Sequence, residues 1–200
     1  QKRIIRLANL HGKPVITATE MLQSMIENPR ATRAEVSDVA NAIFDHTDAV
    51  MLSNESAVGK YPVKATETLS KVAASIEHEM KKHELFSPNL LFKDDLPISY
   101  ATCYSAAELA KDIHAKLIIA VTHSGFTAQH IAKHRVYIPI IAITSDAKVE
   151  QQLQLVWGIK KVFVLPIHKS NYMNQIRKLL LTKKLAKRKD KIVIVSNASK

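Results

Sequence analysis

The sequence predicts an α/β fold with parallel strands, arranged as two successive domains. Short apolar runs alternate with segments of helical period along the chain, which is the pattern of consecutive βα units. The runs at 117–121, 140–143 and 192–195 are continuously apolar, as strands buried on both faces of a parallel sheet require. A stretch at 81–96, charged at first and then containing Ser87-Pro88-Asn89 and Asp94-Asp95, breaks the alternation once and sets a domain boundary.

Taken in order, residues 14–18 are a short apolar run entering a polar turn, and 49–52 are another. Between them 32–45 reads as a helix. Thr32 and Glu35 have the spacing of a capping box, in which each side chain satisfies a free N–H of the first turn. Val36, Val39, Ala40 and Ile43 then recur on one face. Pro62 opens a second helix where its missing N–H costs nothing, with Val63, Thr66, Leu69, Ala73, Ile76 and Met80 as the expected inner stripe. These two βα units make up a first domain over 1–82. In the second, over 83–200, the pattern predicts helices at 99–113, 128–133, 149–156 and 172–185. Strands are predicted at 117–121, 140–144, 161–165 and 191–195, giving a small open parallel sheet. No fixed-period repeat is present.

Composition narrows the function classes. With 46% apolar and 24% charged residues, only four glycines and seven prolines, the chain has the make-up of an ordinary globular protein. No apolar run approaches the roughly 20 residues of a membrane span, and no secretory signal opens the chain. Gln1 rather than Met stands first, so the expectation is a piece of something longer. The single cysteine, Cys103, excludes an internal disulfide, points to a cytoplasmic setting, and is expected to be a buried structural thiol among small apolar neighbours. Of the net charge of +11, most lies in 177–200, where nine Lys or Arg face one acid, Asp190. Such a block could hold phosphate backbones, but Leu179, Leu180 and Leu185 at helical spacing favour a solvated lysine face. No aromatics interleave with the lysines, so a nucleic-acid partner is not expected.

The chemistry-bearing motif is Thr122-His123-Ser124-Gly125-Phe126-Thr127, between a strand and a helix. A turn of this kind points backbone N–H groups outward at the positive end of the helix dipole. Gly125 permits close backbone approach, and the hydroxyls of Thr122, Ser124 and Thr127 can donate to phosphate oxygens. The alternative is that Ser124 and Thr127 merely cap the helix. His130 and His134 lie one turn apart beside Lys133 and Arg135. Ile131, where a zinc protease would carry Glu, argues against a metal site, and a solvent-facing basic patch is expected.

Several longer segments carry a family resemblance. Val15-Ile16-Thr17-Ala18-Thr19-Glu20-Met21-Leu22, the run from Pro29 through Thr32 and Glu35 to Asn41, Asp48-Ala49-Val50-Met51-Leu52-Ser53, and Gly59-Lys60-Tyr61-Pro62 resemble, in order, the end of the pyruvate kinase barrel. Thr122 to Ala128 and Trp157-Gly158 are similar to that family's C-terminal domain. The resemblance implies the last βα units of a (β/α)₈ barrel followed by the family's allosteric α/β domain. It implies transfer of the phosphoryl group of phosphoenolpyruvate to ADP, giving pyruvate and ATP in glycolysis, with Mg²⁺ and K⁺ as cofactors. Their ligands are expected in earlier barrel strands and not in this chain.

By the same resemblance Thr19 would contact phosphoenolpyruvate, and Ser53 with Glu55 would line that pocket, at the strand ends where such barrels keep their catalytic groups. Thr122, His123, Ser124, Gly125, Phe126 and Thr127 would hold a phosphate of an allosteric sugar phosphate such as fructose 1,6-bisphosphate. The parent would be a homotetramer, the effector site's second half would lie beyond this chain, and the chain alone would be inactive. The sequence departs from the family pattern at Glu20 (usually Gln), His46, Asn54, Lys189 and Asn197 (usually Gly), Ser56 (usually Thr), and Phe126 (often polar). Asn54 raises the question of a special backbone angle in the loop after Ser53. A self-standing sugar-phosphate-binding module is the competing reading, with a basic nucleic-acid binder behind it.

Overall fold

The structure is a computed structural model that describes residues 1–18, 20–83, 97–166 and 172–196. The chain divides into two compact units, Gln1–Ser87 and Pro88–Lys200. Most of the stretch read from the sequence as a boundary, residues 84–96, lies outside the described residues.

The first unit opens with α1 (Lys2–Leu10), a helix not anticipated from the sequence. It buries Ile5 and Asn9, one turn apart, and Asn9 Nδ2 donates to the His46 carbonyl at 3.1 Å. Strands β1 (Ile16–Thr17) and β2 (Ala49–Val50) pair in parallel, with Ile16 opposite Ala49 and Thr17 opposite Val50. Beside them Thr17 Oγ1 donates to Thr47 Oγ1 at 2.9 Å. After β1 comes a 3₁₀ turn, Gln23–Ile26, and then α2 (Arg33–Phe44), which starts on the expected Thr32–Glu35 capping box. A single turn, α3 (Asn54–Ala57), follows β2 and leads to α4 (Pro62–Lys82). Met21, Leu22, Met25, Val39, Ala42, Ala65 and Leu69 form the core between them.

The buried face of α4 is rotated from the stripe expected at its start. Leu69 and Met80 are buried, but Val63 is 69% exposed and Thr66 is also exposed, while Ala65 is fully buried. The small Ala65 side chain lets the first turns of α4 approach the core closely, and that contact turns Val63 outward.

The second unit runs α5 (Ile98–Asp112), β3 (Leu117–Val121), α6 (Phe126–Ala132), β4 (Ile140–Thr144), α7 (Ala147–Leu153), β5 (Ile159–Val164), α8 (Tyr172–Thr182) and β6 (Ile192–Ser196). Its sheet is parallel throughout, in the order β5-β4-β3-β6. Alternate residues of the strands feed two cores. Ile118, Ala120, Ile140 and Ala142 pack with Ala107, Ile131 and Leu153. Leu117, Ile119, Ile141 and Ile143 pack with Ile176 and Leu180. This two-sided burial is why the central strands read as unbroken apolar runs. The last helix ends at Thr182, three residues before the expected 185, and Lys184 just beyond it has a left-handed φ of 53°. Among the described residues, β5 and β6 are the two edges of this sheet, and β6 pairs with β3.

Candidate functional site

Two loop systems concern the expected site residues. In the first unit these are the loops that follow β1 and β2. Thr19 lies outside the described residues. Ser53 is exposed and forms the N-cap of α3, its carbonyl accepting from Ser56 Oγ at 3.2 Å and from the Ala57 N–H at 3.0 Å. Glu55 is buried although charged. Its Oε1 accepts the Leu22 N–H at 3.0 Å and its Oε2 accepts the Ser53 N–H at 2.8 Å, so one carboxylate ties the two loops together. Burial pushes the Glu55 carboxyl up. The backbone N–H groups of Glu55 itself, Leu22 and Ser53 outweigh burial and hold it below the ordinary carboxylate value.

A second carboxylate, not singled out as functional from the sequence, stands next to this pair. Glu35 Oε1 accepts the Ser24 N–H at 2.6 Å, and its Oε2 accepts Ser24 Oγ at 2.5 Å, the Thr32 N–H at 2.7 Å and Thr32 Oγ1 at 2.8 Å. Burial raises its pKa, and the Ser24 and Thr32 donors more than reverse this, leaving it lowered. The capping-box spacing was legible, but the reach to Ser24 was not, because it crosses eleven residues of loop. Gly59 is required beside them: a Cβ there would stand 2.6 Å from the Glu55 carbonyl oxygen. The concern over Asn54 is resolved by its backbone. It is the first residue of α3 and is absent from the left-handed region, whereas Glu20, His46 and Lys189 have φ of 38°, 68° and 78°.

In the second unit, β3 runs into residues 122–125 and α6. Because the chain moves from β3 to β4 and β5 on one side and returns to β6 on the other, this turn sits where the winding of the sheet reverses. Crevices at such points suit ligands. Gly125 is the N-cap of α6, left-handed at φ 85°, and no side chain caps the helix, so Ser124 and Thr127 do not play the capping role considered for them. His123 and Ser124 are exposed, Phe126 is half-buried, and Thr122 and Thr127 are buried. The Thr122 N–H donates to the Ile143 carbonyl at 2.9 Å.

Behind the loop the expected solvent-facing basic patch is instead interior. His130, Lys133, His134 and Arg135 are all buried. Aromatic rings stand against several of these side chains. The His130 ring stacks on Phe126 with centroids 3.7 Å apart, Lys133 Nζ lies 4.6 Å from the Tyr100 ring centre, and the Arg135 guanidinium lies 5.3 Å from that of Trp157. Burial pushes the Lys133 amine down to about 8 and the His134 imidazole to about 4. Cys103 is likewise buried, and burial drives its thiol up to about 11, as a structural thiol requires. Among the described residues no group of three or more His, Cys, Asp or Glu could hold a metal ion. No helix among them is long and apolar enough to cross a membrane.

Comparison with known proteins places both units. Residues 1–66 match the family model described as pyruvate kinase, barrel domain, and 100–200 match that described as pyruvate kinase, alpha/beta domain. The chain is 47% identical over 167 residues to pyruvate kinase 2 of Synechocystis sp., covering 84% of this chain and 27% of that protein. It is 48% identical over 159 residues to the pyruvate kinase of Geobacillus stearothermophilus, covering 80% and 27%. A crystal structure of a pyruvate kinase from Cryptosporidium parvum superposes with a TM-score of 0.84 at 37% identity, covering 98% of this chain and 40% of that one. The chain thus spans well under half the length of the relatives it matches.

Proposed function

The chain belongs to the pyruvate kinase family, and from that premise we propose that it is one part of an enzyme that transfers the phosphoryl group of phosphoenolpyruvate to ADP, yielding pyruvate and ATP. In this reading Thr19, Ser53 and Glu55 stand at the phosphoenolpyruvate pocket, and 122–127 hold a phosphate of a sugar-phosphate effector. The family generally uses Mg²⁺ and K⁺, which would supply charge neutralisation for the transferring phosphoryl group. The enzyme is a cytoplasmic homotetramer. By the family resemblance, the cations and metal-ligating carboxylates that phosphoryl transfer needs come from earlier barrel strands, and on this reading the 200-residue chain does not turn over by itself.

The observation that supports this best is the parallel β1–β2 pair with Ser53 and Glu55 at its carboxyl end, where barrel enzymes place their chemistry. For the effector loop, support comes from its place at the reversal of the sheet and from the uncapped α6 N-terminus. A coupled assay with phosphoenolpyruvate and ADP should show no turnover by the 200-residue chain, and specific activity would overturn that part. Titration with fructose 1,6-bisphosphate and sugar monophosphates should show saturable binding that Thr127→Ala weakens at least tenfold. A self-standing sugar-phosphate module would bind these ligands but not phosphoenolpyruvate. Phosphoenolpyruvate binding that is lost in Ser53→Ala separates the two readings.

A further inference from the structure

We propose that Glu55 sets the spacing between the loops after β1 and β2 and that Glu35 fastens the loop after β1 to α2, both as positioning residues that act as hydrogen-bond acceptors and not as proton carriers. The inference rests on the reading that those loops form the phosphoenolpyruvate pocket. It concerns how they are held and not what they bind.

The geometry is that of a short helical turn suspended between two carboxylates. The 3₁₀ turn Gln23–Ile26 begins at its N-cap Leu22, whose N–H is taken by Glu55 from the loop after β2. One residue into the turn, Ser24 gives both its N–H and its hydroxyl to Glu35 from the first turn of α2. Each carboxylate is also tied at its other end, Glu55 to the Ser53 N–H and Glu35 to the Thr32 N–H and hydroxyl. The chain after β1 is therefore fastened to the chain after β2 on one side and to α2 on the other. Strands β1 and β2 are only two residues long and fix little of the loop geometry themselves. Charge-assisted bonds to backbone N–H groups are roughly twice as strong as neutral ones, so such a frame can hold the two strand ends in register.

Both oxygens of each carboxylate accept from a donor, which is what a clamp needs. A proton carrier needs the reverse: an oxygen free to take a proton, with a pKa near the working pH. Both groups are held below the ordinary carboxylate value.

Amide NMR on the 200-residue chain tests this without assuming any activity. The Leu22, Ser53, Ser24 and Thr32 amide signals should lie downfield and stay flat from pH 5 to 8, because both acceptors remain ionised. Glu55→Gln retains one acceptor oxygen for two donors, so exchange at Leu22 or Ser53 should rise about tenfold. Glu35→Gln should do the same at Ser24 or Thr32, and Glu67→Gln, at an exposed pair with Lys71, should leave all four unchanged. A shared titration of Leu22 and Ser53 between pH 5 and 8 would make Glu55 a proton carrier and overturn the proposal. So would unchanged exchange in Glu55→Gln. Failure of the phosphotransferase reading would move none of these signals.

Discussion

His134 is buried beside Lys133, and burial with that neighbouring charge sets its imidazole near 4. Glu108 opposes the shift weakly, while Lys111 and His130 add to it. In the unfolded chain the group returns to about 6.5 and binds a proton the native state refuses. Its contribution is therefore complete above pH 6.5 and lost as pH falls toward 4, by on the order of 3 kcal/mol. His134→Phe should flatten the fall in urea midpoint between pH 7 and 4.5. Alkaline behaviour has opposing parts. Lys133, set at about 8, makes stability rise from pH 8 toward 10.5, while Cys103, set at about 11, makes it fall from 9 toward 11. Lys133→Met should remove the rise seen between pH 8 and 9. Backbone angles give a third residue-scale result. Lys189 holds φ at 78°, so Lys189→Gly should stabilise by about 1 kcal/mol, whereas Asn54→Gly, in a helical turn, should destabilise by up to about 1 kcal/mol in chemical denaturation.

At the scale of elements, the first turn of α2 serves both its own helix and the loop after β1. Thr32→Ala should cost about 1 kcal/mol as a lost cap, and Gly59→Ala should cost more, because its Cβ meets backbone and not a yielding side chain. Equilibrium denaturation of the two variants ranks them. What was readable beforehand follows the same physics. The strands β3, β4 and β6, the capping box and the Pro62 start were legible because each is a local pattern of apolarity or caps. The single turn α3 was too short to have a period, and α1 carries only two buried residues, one of them the polar Asn9. Periodicity misplaced the early face of α4 because an alanine carries little weight in an apolar pattern yet can be the closest contact. The segment from His130 to Arg135 read as surface because charge alone does not show that aromatic rings will receive it. The turn between β3 and α6 was legible from its residues, while the joint grip of Glu35 and Glu55 depends on contacts across 11 and 33 residues, which no spacing rule contains.

On the scale of the molecule, the two units have unequal interiors. The first relies on a single cluster around Met25 and Leu69 and a sheet of two short strands, while the second covers both faces of four strands. Urea should therefore unfold the chain in two steps, the first unit earlier. Trp157, the sole tryptophan, lies in the second unit, so its fluorescence should change at higher urea than the far-ultraviolet circular dichroism. Coincident transitions would show that the units unfold as one. The four-stranded sheet has a further consequence at its β6 edge. Among the described residues that edge carries Ile192, Val193, Ile194 and Val195, with no charged side chain among them, next to an exposed Ser196. Such a border is a template onto which another extended chain can be laid, and at high concentration the polypeptide itself supplies one. Light scattering that grows with protein concentration, through sheets lengthening strand by strand from β6, is the expected fate of this chain in storage.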